Sequence, residues 1–409
     1  MKRKALSGIK VLDLTHYIAG PYCTKLLADY GAEVIKVERP GMGDGIRRTG
    51  PFYGDDPHPE KSGFFLYLNT NKRGITLNLK SRTGKKIVQE LVADADILVE
   101  NFSPGVMERL GFSYENLEKI NPNLVMTSIS NFGQTGPYRD FKSSELVADA
   151  MGGWMTIIGD PDRDPLKPGG SQAQFVGGLF GAVGTMTTFF GREAIGAGQH
   201  VDISLMEAVL FIQMNITSTY SYHEQITKRA GNFVWPPPGS ILPCRDGYIG
   251  VIAVTTSQWA SLCDWMERPD LKEDPNFLTA TDRTENYDLL VANLIPWLAE
   301  HDAEELFREG QRRRIPFAIP ASSEMLLASA HLKERGYFVE VDHPATGKVF
   351  YPGAQVTMGD LPYELKPAPL LGEHNEEIYC GRLGYSREDL VRLCEQGAVS
   401  YTHLTLPTN

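Results

Sequence analysis

Residues 8–39, GIKVLDLTHYIAGPYCTKLLADYGAEVIKVER, constrain the fold more than any other stretch. Ile9 and Val11 flank Lys10, and Leu12 and Leu14 flank Asp13, a short and mostly apolar run that suits a buried strand. His16, Ala19, Gly20 and Pro21 fill the turn that follows. Leu26, Leu27 and Tyr30 then suit a helix with Gly31 as its stop, and residues 32–37 read as a second buried strand. A βαβ unit with short loops implies a parallel sheet, whose ligands bind beyond the carboxyl ends of the strands. The turn THYIAGP lacks G-x-G-x-x-G, so the glycines that admit a pyrophosphate are missing and a nicotinamide dehydrogenase is disfavoured.

The pattern continues along the chain. Strands are expected at 75–79, 97–100, 124–130 and 200–205. Helices are expected from the Ser81 cap, from Pro104 to Leu110, from about Ser113, over 145–155, from about 172, and after 205 to about 222. Such alternation is doubly wound α/β logic. Residues 131–142, NFGQTGPYRDFK, form a loop after a strand end, where ligands sit in an open sheet. The helix beginning near 172 carries Gly177, Gly178, Gly181 and Gly184; each costs about 1 kcal/mol against alanine, which points to a helix packed closely on backbone or ligand. Trp235-Pro236-Pro237-Pro238-Gly239 fits neither helix nor central strand and marks a domain boundary. A large domain is expected from residues 1–225 and 331–398, with a smaller, mostly helical unit at 226–330. The last residues, 399–409, VSYTHLTLPTN, match nothing before them and read as a non-native tail.

Composition narrows the function. The 409-residue chain has 42% hydrophobic residues and a formal net charge of −11, with no long Lys/Arg block, which argues against nucleic acid as partner. An anionic ligand must therefore meet locally placed cations. No signal-peptide pattern and no continuous run long enough for a bilayer stands out, so a cytoplasmic protein is expected. The five cysteines are odd in number and far apart, as free thiols are, and no His/Cys cluster has metal-ligand spacing, so no metal is expected.

The motifs GIKVLDLTHYIAGP, GAEVIKVERP, NTNKRGITLNLK, ILVENFSPGVMERLG, SISNFGQTGPY and GQHVDISLMEAV, in this order, resemble the class III CoA-transferases. That family takes in formyl-CoA:oxalate and carnitine CoA-transferases and is related to alpha-methylacyl-CoA racemases. The resemblance implies a large Rossmann-like domain built from both chain ends, a small α+β domain, and a dimer of interlocked rings. It implies acyl-CoA and a small carboxylic acid as substrates. His16, Ala19, Arg39, Leu77, Lys80, Asn101, Phe102, Arg109 and Lys142 match positions along the CoA site. Taken singly, Lys80 and Arg109 read as solvated surface charges and Asn101 as a helix cap; the motif context gives them a role. Arg and Lys suit the CoA phosphates because they make charge-assisted contacts.

One departure bears on the chemistry. Family transferases attack the thioester with an aspartate, which is ionised at neutral pH and forms a reactive anhydride. Alignment on Gly178 puts Gln174 at that position; alignment on Gly177 puts Ala173 there. Neither is a carboxylate. Glu145 matches a helix-start glutamate that faces the site in some members. The racemase acid–base pair would fall at Ser144 and Gln174, so racemisation is disfavoured. The readings left are a transferase using Glu145 or a ternary complex, a nucleophile-less CoA-binding subunit with a paralogous partner, and an acyl-CoA lyase or hydratase. Gln134, Tyr138, Trp154 and Trp235 are candidates to shape the acyl pocket, and Arg139 to meet a second carboxylate.

Overall fold

The computed structural model describes residues 4–359 and 361–400. These divide into two compact units. The larger takes in residues 4–154, 167–222 and 334–400, and the smaller 155–166 and 223–333.

The larger unit is a six-stranded parallel sheet. In chain order its elements are β1 (Lys10–Asp13), α1 (Ala19–Asp29), β2 (Glu33–Glu38), α2 (Gly63–Leu68), β3 (Arg73–Thr76), α3 (Arg82–Ala93) and β4 (Ile97–Glu100). Then come α4 (Val106–Leu110), α5 (Tyr114–Leu117), β5 (Val125–Ser130), α6 (Glu145–Met151), α7 (Gln172–Ile195), β6 (His200–Ser204), α8 (Leu205–Phe211) and α9 (Met214–His223). The strands lie in the order β3-β2-β1-β4-β5-β6. The order reverses between β1 and β4, and the crevice outside that switch point is where open α/β sheets bind ligands.

Alternate residues of each strand serve opposite faces, as the pleat dictates. Leu12, Ile35, Ile75, Leu98 and Met126 face a core completed by Ile87, Val88 and Leu91 of α3. Ile378, Tyr379, Leu390 and Leu393 from the far end of the chain pack into the same core. Val11, Val34, Ile97, Val99 and Val125 face the other side, covered by Leu27 of α1, Ala182 of α7 and Val209 of α8. The doubly wound α/β reading is what the structure shows, with both chain ends contributing to one unit.

Several boundaries differ from expectation. The third strand begins earlier, at Arg73, and stops at Thr76; Leu77 stays buried with its amide on the Glu38 carbonyl, and the chain turns at residues 79 and 80. The helix after Pro104 starts at Val106, because Gly105 takes a left-handed conformation (φ 80°) that only glycine adopts without strain. The helix near Ser113 is a single turn. At the far end Val399 is buried and the Ser400 amide donates to Thr76 Oγ1, so these two residues pack with the sheet. The remainder of the suspected tail, 401–409, lies outside the described residues.

The glycines of α7 explain themselves. Gly177, Gly178 and Gly181 are buried on one side. A Cβ on Gly178 would lie 2.4 Å from the Ala19 carbonyl oxygen, and one on Gly181 2.7 Å from Ile129 Cδ1. By length and composition alone α7 is apolar enough to cross a bilayer. In this fold its glycine side seats on α1 and β5, while Leu179, Val183 and Phe190 on its other side are exposed, as are Phe211 and Met214 beyond it.

The smaller unit holds a four-stranded antiparallel sheet ordered β10-β9-β8-β7: β7 (Phe233–Val234), β8 (Gly239–Cys244), β9 (Gly247–Val251) and β10 (Phe317–Ala318). Residues 245 and 246 turn the β8–β9 hairpin. Trp259, Leu262, Phe277, Leu290 and Leu294 fill the core between this sheet and its helices.

Candidate active site

The site is built where β1 and β4 end. Asn101 follows β4, and its side chain makes two bonds to one residue beyond β1. Asn101 Oδ1 accepts the His16 amide at 2.8 Å, and Asn101 Nδ2 donates to the His16 carbonyl at 2.7 Å. A single carboxamide thus pins the loop between β1 and α1 across the switch point. The His16 ring sits 5.6 Å from that of Phe102. Replacing Asn101 with alanine removes both bonds, each worth about 1 kcal/mol. The expected result is a midpoint shift corresponding to about 2 kcal/mol in urea unfolding.

A buried charge network lies beneath this loop. Lys36 Nζ donates to the Thr15 carbonyl at 2.9 Å and to Asp44 Oδ2 at 3.0 Å. Asp44 Oδ1 accepts the Tyr17 amide at 3.0 Å. Burial raises the Asp44 pKa, but Lys36 and His16 outweigh it and hold the carboxyl well below the usual carboxylate range. Tyr17 has φ 65°, a conformation rare for a residue with a side chain, and this bond helps to keep it there.

Two cavities open along the strand ends. One, of about 460 Å³, is lined by His16, Glu38, Arg39, Leu77, Lys80 and Phe102, among others. The other, of about 400 Å³, is lined by Ala19, Asn101, Phe102, Ser130, Arg109, Arg139, Lys142 and Gln174, among others. Phe102 lines both. The nine residues expected along a CoA site therefore all fall on this pair of adjoining cavities, although they come from positions 16 to 142 of the chain. Arg39, Lys80, Arg109 and Lys142 are exposed, and none has an ion-pair partner among the described residues. In a chain of net charge −11, these four cations, without ion-pair partners among the described residues, concentrate positive charge along one crevice.

Gln174 lines the inner cavity as a half-buried neutral amide. Glu145 does not line it. Its carboxylate instead caps α7, with Oε1 accepting the Ala173 amide at 2.8 Å and Oε2 the Gln174 amide at 3.3 Å. The α7 cap residue, Ser171, supplies no side-chain bond, so Glu145 from another helix fills the place. Burial raises the Glu145 pKa; the Ala173 amide lowers it, and the nearby Asp149 carboxylate raises it. Asp149 is buried, with Lys167 Nζ at 3.8 Å. Spacing alone could not show that Glu145 caps a helix 28 positions on.

Sequence reasoning missed two features here. Ser130, the last residue of β5, borders the inner cavity, and its hydroxyl is buried. Glu100, the last residue of β4, is buried opposite Ser128, accepts the Phe102 amide at 2.8 Å, and is pushed by burial up to about 7. Neither could be told from an ordinary strand residue. Among the described residues no group of three or more His, Cys, Asp or Glu side chains could hold a metal ion.

The model of CoA-transferase family III matches residues 6–375. A formyl-CoA:oxalate CoA-transferase of Rhodopseudomonas palustris (strain BisB18) is 36% identical, over 97% of this chain and 97% of that one. A succinyl-CoA:glutarate CoA-transferase of Mus musculus is 34% identical, over 97% of this chain and 90% of that one. Among solved structures, a CAIB/BAIF family protein from Brucella suis superposes with a TM-score of 0.83 at 29% identity, covering 93% of this chain and 100% of that one. An α/β crevice at the switch point, its ring of free cations and this similarity along the whole chain lead to one conclusion: the chain belongs to CoA-transferase family III.

Proposed function

We propose that this chain moves CoA from an acyl-CoA donor to a small carboxylic acid, holding the CoA body along the two cavities at the strand ends. The observation that carries the reading is the row of four unpaired cations, Arg39, Lys80, Arg109 and Lys142, leading to Gln174. The names of the relatives suggest formyl-CoA or succinyl-CoA as donor and oxalate or glutarate as acceptor. Gln174 stands where the family carries its nucleophilic aspartate. Its amide is uncharged and forms no anhydride, and the Glu145 carboxylate is engaged by α7. Transfer is therefore expected without a thioester on the protein.

Titration calorimetry with CoA tests the first part. CoA is expected to bind, and Lys80→Ala and Arg109→Ala are each expected to weaken it about tenfold, the worth of a charge-assisted contact to phosphate. Failure to bind CoA would refute the reading. Borohydride treatment during turnover tests the second part, since it reduces an enzyme–CoA thioester to an alcohol and marks the residue. No mark is expected; a mark on Glu145 would make it a displaced nucleophile.

A second reading rests on the exposed apolar side of α7 with Phe211 and Met214. Such a surface is suited to burial against another chain. We propose a second copy as the occupant, in an interlocked dimer. A paralogous subunit carrying the aspartate is the alternative, and would make this chain a CoA-binding partner. Light scattering of the purified chain distinguishes them, a dimer supporting the first. The five free thiols support a reducing, cytoplasmic setting.

A further inference from the structure

Two residues on the wall of the inner cavity carry buried donors that lack acceptors. Ser130 and Arg139 both line it, and Ser130 Oγ and Arg139 Nε are buried with no hydrogen-bond partner among the described residues. Ser130 is only 7% exposed. Buried polar groups are almost always satisfied, so two orphans on one cavity wall need an explanation. The charges that line the cavity are three cations, Arg109, Arg139 and Lys142, and one acid, Asp140, whose Oδ1 lies 4.0 Å from Arg139 Nε. Glu145 binds the start of α7 instead, and Lys167 sits beside the buried Asp149. The wall thus carries more positive than negative charge, next to an amide that stands where the family resemblance puts a carboxylate.

We infer that Ser130, Arg139 and Gln174 form a subsite for the carboxylate of the acceptor acid, and that this carboxylate supplies the nucleophile the protein lacks. The inference rests on the functional reading above. An aspartate at 174 would repel an acid bound there; the glutamine amide donates to it. One acid oxygen attacks the thioester carbonyl carbon, the C–S bond breaks, and CoA leaves as thiolate, giving a mixed anhydride of the two acids. The thiolate then attacks the acceptor-derived carbonyl, the C–O bond to the bridging oxygen breaks, and the donor acid leaves as carboxylate. No proton is consumed and nothing is oxidised or reduced. The bridging oxygen, which came from the acceptor, departs with the donor acid.

That last point provides the test. With protein in excess over acyl-CoA, succinyl-CoA is mixed with carboxyl-¹⁸O glutarate, and formyl-CoA with ¹⁸O oxalate. The released succinate or formate is read by mass spectrometry after a single turnover. One heavy oxygen in the released acid is expected. If a protein carboxylate takes part, the first turnover delivers an unlabelled protein oxygen instead, and an unlabelled product overturns the proposal. In steady state, Arg139→Gln and Ser130→Ala are each expected to raise the acceptor KM at least tenfold with the acyl-CoA KM unchanged. Equal changes in both constants overturn the subsite. Calorimetry separates the two levels. CoA binding without turnover, and without glutarate or oxalate binding to the CoA-loaded protein, overturns the subsite alone. Loss of CoA binding overturns the functional reading with it.

Discussion

Replacing Asp13 with alanine is expected to cost about 3–5 kcal/mol of folding stability, the usual penalty for leaving a buried charge without its partner. Asp13 is fully buried at the end of β1. Its Oδ2 accepts Lys72 Nζ at 3.0 Å and Thr24 Oγ1 at 2.6 Å, and its Oδ1 accepts the Thr15 amide at 2.9 Å. Lys72 is itself buried and pulled down to about 8, burial outweighing its attraction to Asp13. Without Asp13 that ammonium has no counter-ion, and Lys36 loses a neighbour. A typical domain has about 5–15 kcal/mol in all, so the variant should sit close to its unfolding threshold. Denaturant titration measures this, and a loss under about 1 kcal/mol would show that water or relaxation screens the site. The double variant Asp13→Ala/Lys72→Met should recover much of the loss, since the orphaned charge goes too. The pH dependence has a definite sign. Burial raises the Asp13 pKa, but Lys72 and Lys36 bring it below its ordinary 3.8. Its contribution is then complete above about that value and lost as the pH falls through the lower folded value.

Gly178→Ala is expected to cost about 3 kcal/mol and to weaken CoA binding as well. The added methyl would stand 2.4 Å from the Ala19 carbonyl oxygen and 3.1 Å from Tyr22 Cδ1. The first obstacle is backbone, at the opening turn of α1, so no side chain can rotate out of the way. Relief requires α7 and α1 to separate, and Ala19 and Gln174, one on each helix, both line the inner cavity. Gly191→Ala in the same helix is the control. Its methyl would meet nothing closer than Ile195 Cδ1 at 3.8 Å, and alanine is the better helix former by up to about 1 kcal/mol, so that variant should be neutral or more stable. Thermal unfolding and CoA titration of both proteins check the pair. Equal stability of the two variants would show that α7 does not rest on α1 as closely as this.

How far the chain could be read without its fold varies from residue to residue. β4 and the helix capped by Ser81 were legible because an apolar run and a cap are local: Ile97–Glu100 is a strand, and Ser81 Oγ accepts the Gly84 amide. The close packing implied by the α7 glycines was legible for the same reason, since a costly residue repeated at helical spacing needs a nearby cause. The identity of the surfaces those glycines meet was not. Nor could Lys36 and Lys72 be told from surface lysines, although both are buried with carboxylate partners. A lysine's immediate neighbours do not record whether a carboxylate 8 or 59 positions away will reach it.

The sequence by itself determined the parallel α/β architecture, the residues able to meet an anion and the absence of a carboxylate at position 174. Each depends on residue type and on spacing within one element. Only the tertiary structure decided that Asn101 spends its amide on His16, that Glu145 caps α7 and stays off the cavity wall, and that Ser130 and Arg139 share that wall with Gln174. The two hydrogen-bonded pairings join residues 85 and 28 positions apart. Their geometry follows from the order in which strands lie in the sheet, a property of the whole packed core.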